Sequence, residues 1–131
     1  MNFIVKSEND KALNAFNYVK QILEESYKEK YASYVKKLPM LIKNNGMIPT
    51  LTFILAKSNG NSDEARAYNK IGEQIVDFLK PIINDINCND LEQTIIKMIE
   101  LDSNQNRYIL MEIMSLLKWM KRIVEGLIKE A

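Results

Sequence analysis

An all-α fold, a compact bundle of about six helices, follows from three features of this 131-residue sequence. Apolar residues recur at helical spacing along nearly the whole chain, and no segment alternates as a half-buried strand would. Serine or asparagine with an acid three residues on opens one segment after another. Two Asn-Gly pairs separate periodic stretches whose flanks are helical, so they read as helix stops and not as hairpin turns. The length suffices to bury one core without metals or disulfides, and a single domain over 1–131 is expected.

Ser7 with Asp10 opens the first helix, with Ala12, Ala15, Phe16, Val19, Ile22, Leu23 and Ser26 in phase on its inner face. The second runs from about Tyr31 to Asn44 and shows Tyr31, Tyr34, Val35, Leu38, Leu41 and Ile42 on one side. Pro39 removes the N–H that would bond Val35, which predicts a kink or a late start. Gly46 after Asn44-Asn45 predicts a left-handed stop. Pro49 then stands in the first turn of a short third helix, where its missing N–H costs nothing, and Asn59-Gly60 ends it.

Asn61 with Glu64 opens a fourth helix carrying Ala65, Tyr68, Ile71, Gly72, Ile75, Val76, Phe78 and Leu79, and Lys80-Pro81 ends or bends it. Asn89 with Glu92 opens a fifth, with Leu91, Ile95, Ile96 and Ile99. Asp102-Ser103 stops that one and starts the last and longest, which reaches about Lys129 and is expected to be largely buried. Its Ile109, Ile113, Leu116, Met120, Ile123 and Leu127 fall together, and Leu110, Leu117, Val124 and Ile128 widen the stripe. Its polar strip of Lys118, Lys121, Arg122, Glu125 and Lys129 gives way to Met111 and Met114 towards the start.

The composition excludes more chemistry than it offers. There is no histidine and one cysteine, which removes the commonest general base and any zinc site, and no glycine-rich phosphate loop occurs. No catalytic residue, metal ligand or cofactor is expected. Asp85, Asp90, Glu92, Glu100 and Asp102 are the one dense acidic group, and first-turn helix partnership explains Asp90 and Glu92 more simply than a metal site does. Cys88, without a basic neighbour in sequence, reads as an inert thiol that fits a reducing compartment. No apolar run reaches the length of about 18 residues that a membrane span needs, and no secretion signal is evident. A cytoplasmic protein is expected.

The net charge of +1 conceals segregation. From Lys28 to Lys57 six lysines stand against Glu29 alone; from Asp85 to Asp102 five acids stand against Lys97. On the second helix Lys36 and Lys43 project opposite the apolar face and Lys37 lies nearer one flank; these three, and the strip Lys118, Lys121, Arg122 and Lys129, admit two readings: a solvated face, or point charges facing a polyanion. Met40 among the first group is an accidental exposure or an adaptable contact. Tyr31 and Tyr34 read as core residues with rim hydroxyls before they read as base-stacking platforms, and Trp119 reads as a packing anchor.

Two stretches carry a resemblance. Tyr34 to Ala56, with Leu38-Pro39, Asn45-Gly46 and Thr50-Leu51-Thr52-Phe53, is similar to the small helical subunit of the type III-B (Cmr-type) CRISPR RNA-guided effector complex. Tyr108-Ile109-Leu110 through Leu116-Leu117-Lys118-Trp119-Met120-Lys121-Arg122 resembles the carboxy-terminal helix of the same family. Together they cover about a third of the chain. The resemblance implies a non-catalytic subunit whose copies line up head to tail beside the backbone subunits that hold the guide. It would help grip the target RNA while backbone subunits cut and the large subunit signals. Partners would be those backbone and large subunits, neighbouring copies of itself, and guide and target RNA, with no membrane. Alone it would be a monomer or weak self-associator. The candidate RNA-facing residues are then Lys36, Lys37, Lys43, Lys118, Lys121, Arg122 and Lys129. Met40, Asn45, Gly46, Met111 and Met114 are the candidate partner contacts. The type III-A small subunit and a helical adaptor that never meets RNA are the alternatives.

Overall fold

The computed structural model describes residues 6–129. Six helices follow one another: α1 (Glu8–Lys20), α2 (Lys28–Asn45), α3 (Met47–Lys57), α4 (Asp63–Ile83), α5 (Leu91–Glu100) and α6 (Ser103–Leu127). No strand occurs among the described residues. All six feed one apolar cluster. α2 stands between two groups: it packs on α6, which also carries α1, and on α4, against which α3 and α5 lie.

Caps set the helix starts, one residue later than expected in two cases. The Ser7–Asp10 capping box forms as expected, and Asp102 with Gln105 makes another at α6. α4 is capped by Ser62, whose Oγ accepts from Ala65 N, and not by Asn61; α5 is capped by Asp90 through Gln93 N, and not by Asn89. In each the adjacent residue also has a cap-competent side chain. Burial of Ala65 and Leu91 fixes the helix phase and so decides which one reaches.

α1 stops at Lys20, short of the expected Ser26, and residues 21–27 tighten into turns with i→i+3 bonds such as Ile22 N to Val19 O. A tertiary competitor explains this. Gln74 of α4 donates its Nε2 to the Tyr18 carbonyl at 2.9 Å and to Gln21 Oε1 at 3.1 Å, while its Oε1 accepts from the Tyr31 hydroxyl. Arg66 then clasps the turn by pairing with Glu25 at 3.2 Å and lying over the Tyr27 ring. α2 starts three residues earlier than expected and runs through Pro39. Pro81 likewise sits inside α4, which ends at Ile83 with Asn84 as a left-handed cap.

α4 is buried along its length, from Ala65 to Ile83. Gly72 lets two neighbours approach it, since a Cβ there would meet Leu91 Cδ2 at 3.1 Å and Ile54 Cγ2 at 3.6 Å. α6 buries most of the expected face, Ile109, Ile113, Leu116, Leu117, Met120, Ile123 and Val124, and Ile128 beyond its end; Leu110 is only partly buried and Leu127 is 44% exposed. Phe16, Ile96 and Ile99, placed on inner faces by periodicity, are also exposed. The sides of α1 and α5 they occupy are only partly covered.

Gly46 ends α2 and opens α3 at φ +93°, ψ 163°. That conformation is essentially confined to glycine. Its N–H bonds Ile42 O at 2.7 Å and its carbonyl accepts from Thr50. Gly46→Val is expected to cost about 1–3 kcal/mol. The loss would be backbone strain, because a Cβ would sit at an ordinary 3.5 Å from Pro49 Cδ. Denaturant unfolding checks it: a lower midpoint at constant slope is expected, and an unchanged midpoint would refute the requirement.

Candidate functional site

Two groups of cations differ in their partners. Lys11, Lys57, Arg66, Lys70 and Lys97 each pair with a carboxylate. All but Lys11 stand on α3, α4 and α5, where acids are interspersed. Lys37 and Lys43 on α2, Lys118, Lys121 and Arg122 on α6, and Lys129 beyond it, are exposed. None of them pairs with a carboxylate of the described residues. The local sequence accounts for this: Glu29 is the lone acid of α2, and of the two acids on α6 Glu112 is buried. Lys36 departs from its expected place opposite the core and is half-buried. The two basic stretches stand on helices that pack against each other.

The interleaved apolar residues behave unequally. Met40 and Met111 are 60% and 63% exposed, whereas Met114 is half-buried against the core. Asn45 is exposed and Gly46 half-buried. Trp119 is half-buried, with its indole N–H donated to Glu8 Oε2 at 3.0 Å; Ser115 donates to the other oxygen at 3.1 Å. Those two bonds hold the Glu8 carboxyl below its usual range. Trp119 thus ties α6 to the start of α1.

The tyrosines are not stacking platforms. Tyr31 is fully buried, with its hydroxyl on Gln74. Tyr34 lies flat on Tyr68, ring centres 4.1 Å apart at 8°, and Phe53 closes on Tyr68 edge-on at 5.6 Å. This three-ring cluster across α2, α3 and α4 was not evident from sequence; helical spacing places rings on faces but does not say which faces meet.

The acidic group is dispersed into local tasks. Asp85 pairs with Lys97 at 3.1 Å and accepts Asn87 N–H, and those contacts hold it below the usual carboxyl range. Asp90 and Asp102 cap helices. Among the described residues no three carboxylate or cysteine side chains come together as a metal would need. Cys88 is buried, and burial raises its thiol pKa. Among the described residues no helix is long and apolar enough to cross a membrane.

Comparison with known proteins bears on the family and the fold. The family model described as "CRISPR-associated protein (Cas_Cmr5)" matches residues 7–127. The fold is similar to the crystal structure of a CRISPR-associated Cmr5 family protein from Thermus thermophilus. The TM-score is 0.75 over 95% of this chain and 100% of that one, at 21% identity.

Proposed function

The chain belongs to the Cmr5 family of CRISPR-associated proteins, the small subunit of the Cmr complex, and from that premise we propose that it is a non-catalytic RNA-gripping subunit. It lines the guide–target duplex and stabilises the assembly through contacts with backbone and large subunits and with neighbouring copies. In isolation it is a monomer or weak self-associator, because a head-to-tail contact that does not close needs a template.

The observation that carries this reading is the concentration on α2 and α6 of exposed cations without a carboxylate partner, a state that elsewhere only Lys20 on α1 and Lys80 on α4 share among the described helices. Exposed lysines without carboxylate partners keep their charge available for phosphate, and each phosphate neutralised releases counterions. Sequence selection would come from base pairing, with protein holding backbone and shape. Met40 and Met111, exposed among these cations, supply adaptable apolar contact to a partner.

The test belongs in the reconstituted complex. Lys37→Ala with Lys43→Ala, and separately Lys118, Lys121 and Arg122 all to Ala, leave folding within about 0.5 kcal/mol because the sites are exposed. Each lost phosphate contact lowers the slope of log affinity against log salt by about 0.7 for single strands. Target retention measured against salt gives the slope. If both variants assemble and hold target RNA with the wild-type slope, the cations only confer solubility.

A further inference from the structure

The fold treats the two Asn-Gly pairs of this chain differently. Asn45 is the last residue of α2, and the Gly46 N–H donates to Ile42 O at 2.7 Å. Asn59 lies in the turn between α3 and α4, outside any helix, and both it and Gly60 are exposed. The Gly60 N–H meets no acceptor among the described residues. Asn59 Nδ2 reaches the Ala56 carbonyl at 3.4 Å, a marginal bond at an exposed position. Gly60 stands at φ +103°, and even an added Cβ there would meet nothing within 4 Å. The neighbouring Asn61-Ser62 pair is exposed as well, but serine carries a side chain beside the backbone nitrogen that Gly60 leaves open.

We propose that Asn59 is a site of spontaneous covalent modification, at which the side-chain amide is lost and isoaspartate forms, while the fold protects Asn45. The Gly60 nitrogen gives up its proton and attacks Asn59 Cγ. A C–N bond forms, the Cγ–Nδ2 bond breaks, and ammonia leaves behind a five-membered succinimide. Water then adds to one of the two ring carbonyls and opens the ring. Opening on one side gives aspartate; opening on the other gives isoaspartate, whose main chain runs through the side-chain carbon. Nothing is oxidised or reduced, and water is the sole co-reactant. The nitrogen must swing towards Cγ, which a turn without backbone bonds permits, and glycine hinders that approach least. At Asn45 the same attack requires the Gly46 N–H to leave Ile42 O and the end of α2 to open. The product at residue 59 gains a negative charge and, as isoaspartate, one extra main-chain carbon between α3 and α4. Because residues 59 and 60 are exposed and outside the helices, the core is retained.

Peptide mapping of the full chain, incubated folded in mildly alkaline, ammonia-free buffer, supplies the test. Trypsin releases residues 44–57 and 58–66 as separate peptides, one for each Asn-Gly pair. Mass spectrometry should find the acid in the second peptide, and fragmentation should place it on Asn59 and not on Asn61. Asn59 should convert roughly tenfold faster than Asn45, the factor that one additional backbone hydrogen bond supplies. In guanidinium chloride the two should convert at similar rates, because only the fold separates them. Isoaspartyl methyltransferase should label the 58–66 peptide. Asn59→Gln, which needs a larger ring, should suppress the reaction there and leave helicity unchanged. Conversion of Asn45 in folded protein at the rate of Asn59 would overturn the proposal, as would an Asn59 that keeps its amide while unfolded chain reacts. A gap that persists in denaturant would overturn the protective role of the fold. Aspartate without isoaspartate would show direct hydrolysis and overturn the cyclic route.

Discussion

Lys11→Met is expected to lower stability by about 3–5 kcal/mol, the range for breaking a buried ion pair by removing one partner. Lys11 Nζ lies 3.1 Å from Glu112 Oε2, with side chains 10% and 7% exposed, at the contact of α1 with α6. Glu8 adds a second, outer partner at 3.4 Å. Burial works against the lysine's charge, but bonding and attraction from Glu112, then Glu8, outweigh it and hold its pKa above the usual value. Methionine fills the aliphatic path and removes the cation, so the buried Glu112 carboxylate loses its ion-pair partner. Lys11→Met combined with Glu112→Leu should recover most of the loss, because a well-packed apolar replacement of a buried pair is often neutral or better. A double-mutant cycle by denaturant unfolding measures the coupling. Purely additive losses would show that the pair contributes packing volume and little else.

Alkali is expected to unfold the protein steeply above pH 10. All six tyrosines have pKa values raised above the usual 10.0, in each case chiefly by burial. Tyr31 and Tyr18 are the most strongly affected; Tyr31 has no exposure, and Tyr18 gives its hydroxyl to Asp77 at 2.6 Å. The sign follows from linkage. Below the unfolded pKa near 10 both states hold the proton and the native contacts contribute in full. Above it the unfolded chain ionises while the native tyrosines cannot, so stability falls as pH rises towards the folded pKa. Each such tyrosine contributes about 1.4 kcal/mol per pH unit, and Tyr18 and Tyr31 together about twice that. Lys11, also raised, acts in the same direction. Unfolding midpoints from pH 8 to 11.5, with tyrosinate absorbance followed in parallel, check it. Tyrosinate should appear with loss of helicity. Its appearance near pH 10 in protein that stays folded would refute the burial of these hydroxyls.

Part of the candidate surface is legible in the sequence. Exposure of Lys43, Lys118, Lys121 and Arg122 follows from helical phase, because apolar residues claim the opposite side of each helix; phase also placed Lys36 outside and Lys37 nearer a flank, yet Lys36 is half-buried and Lys37 exposed. Partnership does not follow. Lys57 belongs to the same basic run of sequence, yet it reaches Glu64 across the α3–α4 turn at 3.9 Å, while Lys37 and Lys43 pair with no carboxylate of the described residues. A recess beside Arg107 has no sequence signature, since the residues that line it come from two stretches, 47–49 and 98–110, that lie far apart in the chain.

Features governed by local physics can be read from the residues alone. Helical periodicity set the number and order of helices, Gly46 marked the turn between α2 and α3, and Ser7 and Asp102 marked two starts through caps that need only three residues. Features that depend on neighbours were settled by packing in three dimensions. Gln74 took the Tyr18 carbonyl and shortened α1. Contacts along α2 and α4 carried those helices through Pro39 and Pro81, since a proline removes one hydrogen bond while packing acts along the whole face. Phe16, Ile96 and Ile99 stayed outside for the complementary reason. A helix can be apolar on more sides than its neighbours can cover, and which side is covered depends on the other helices and not on its own sequence.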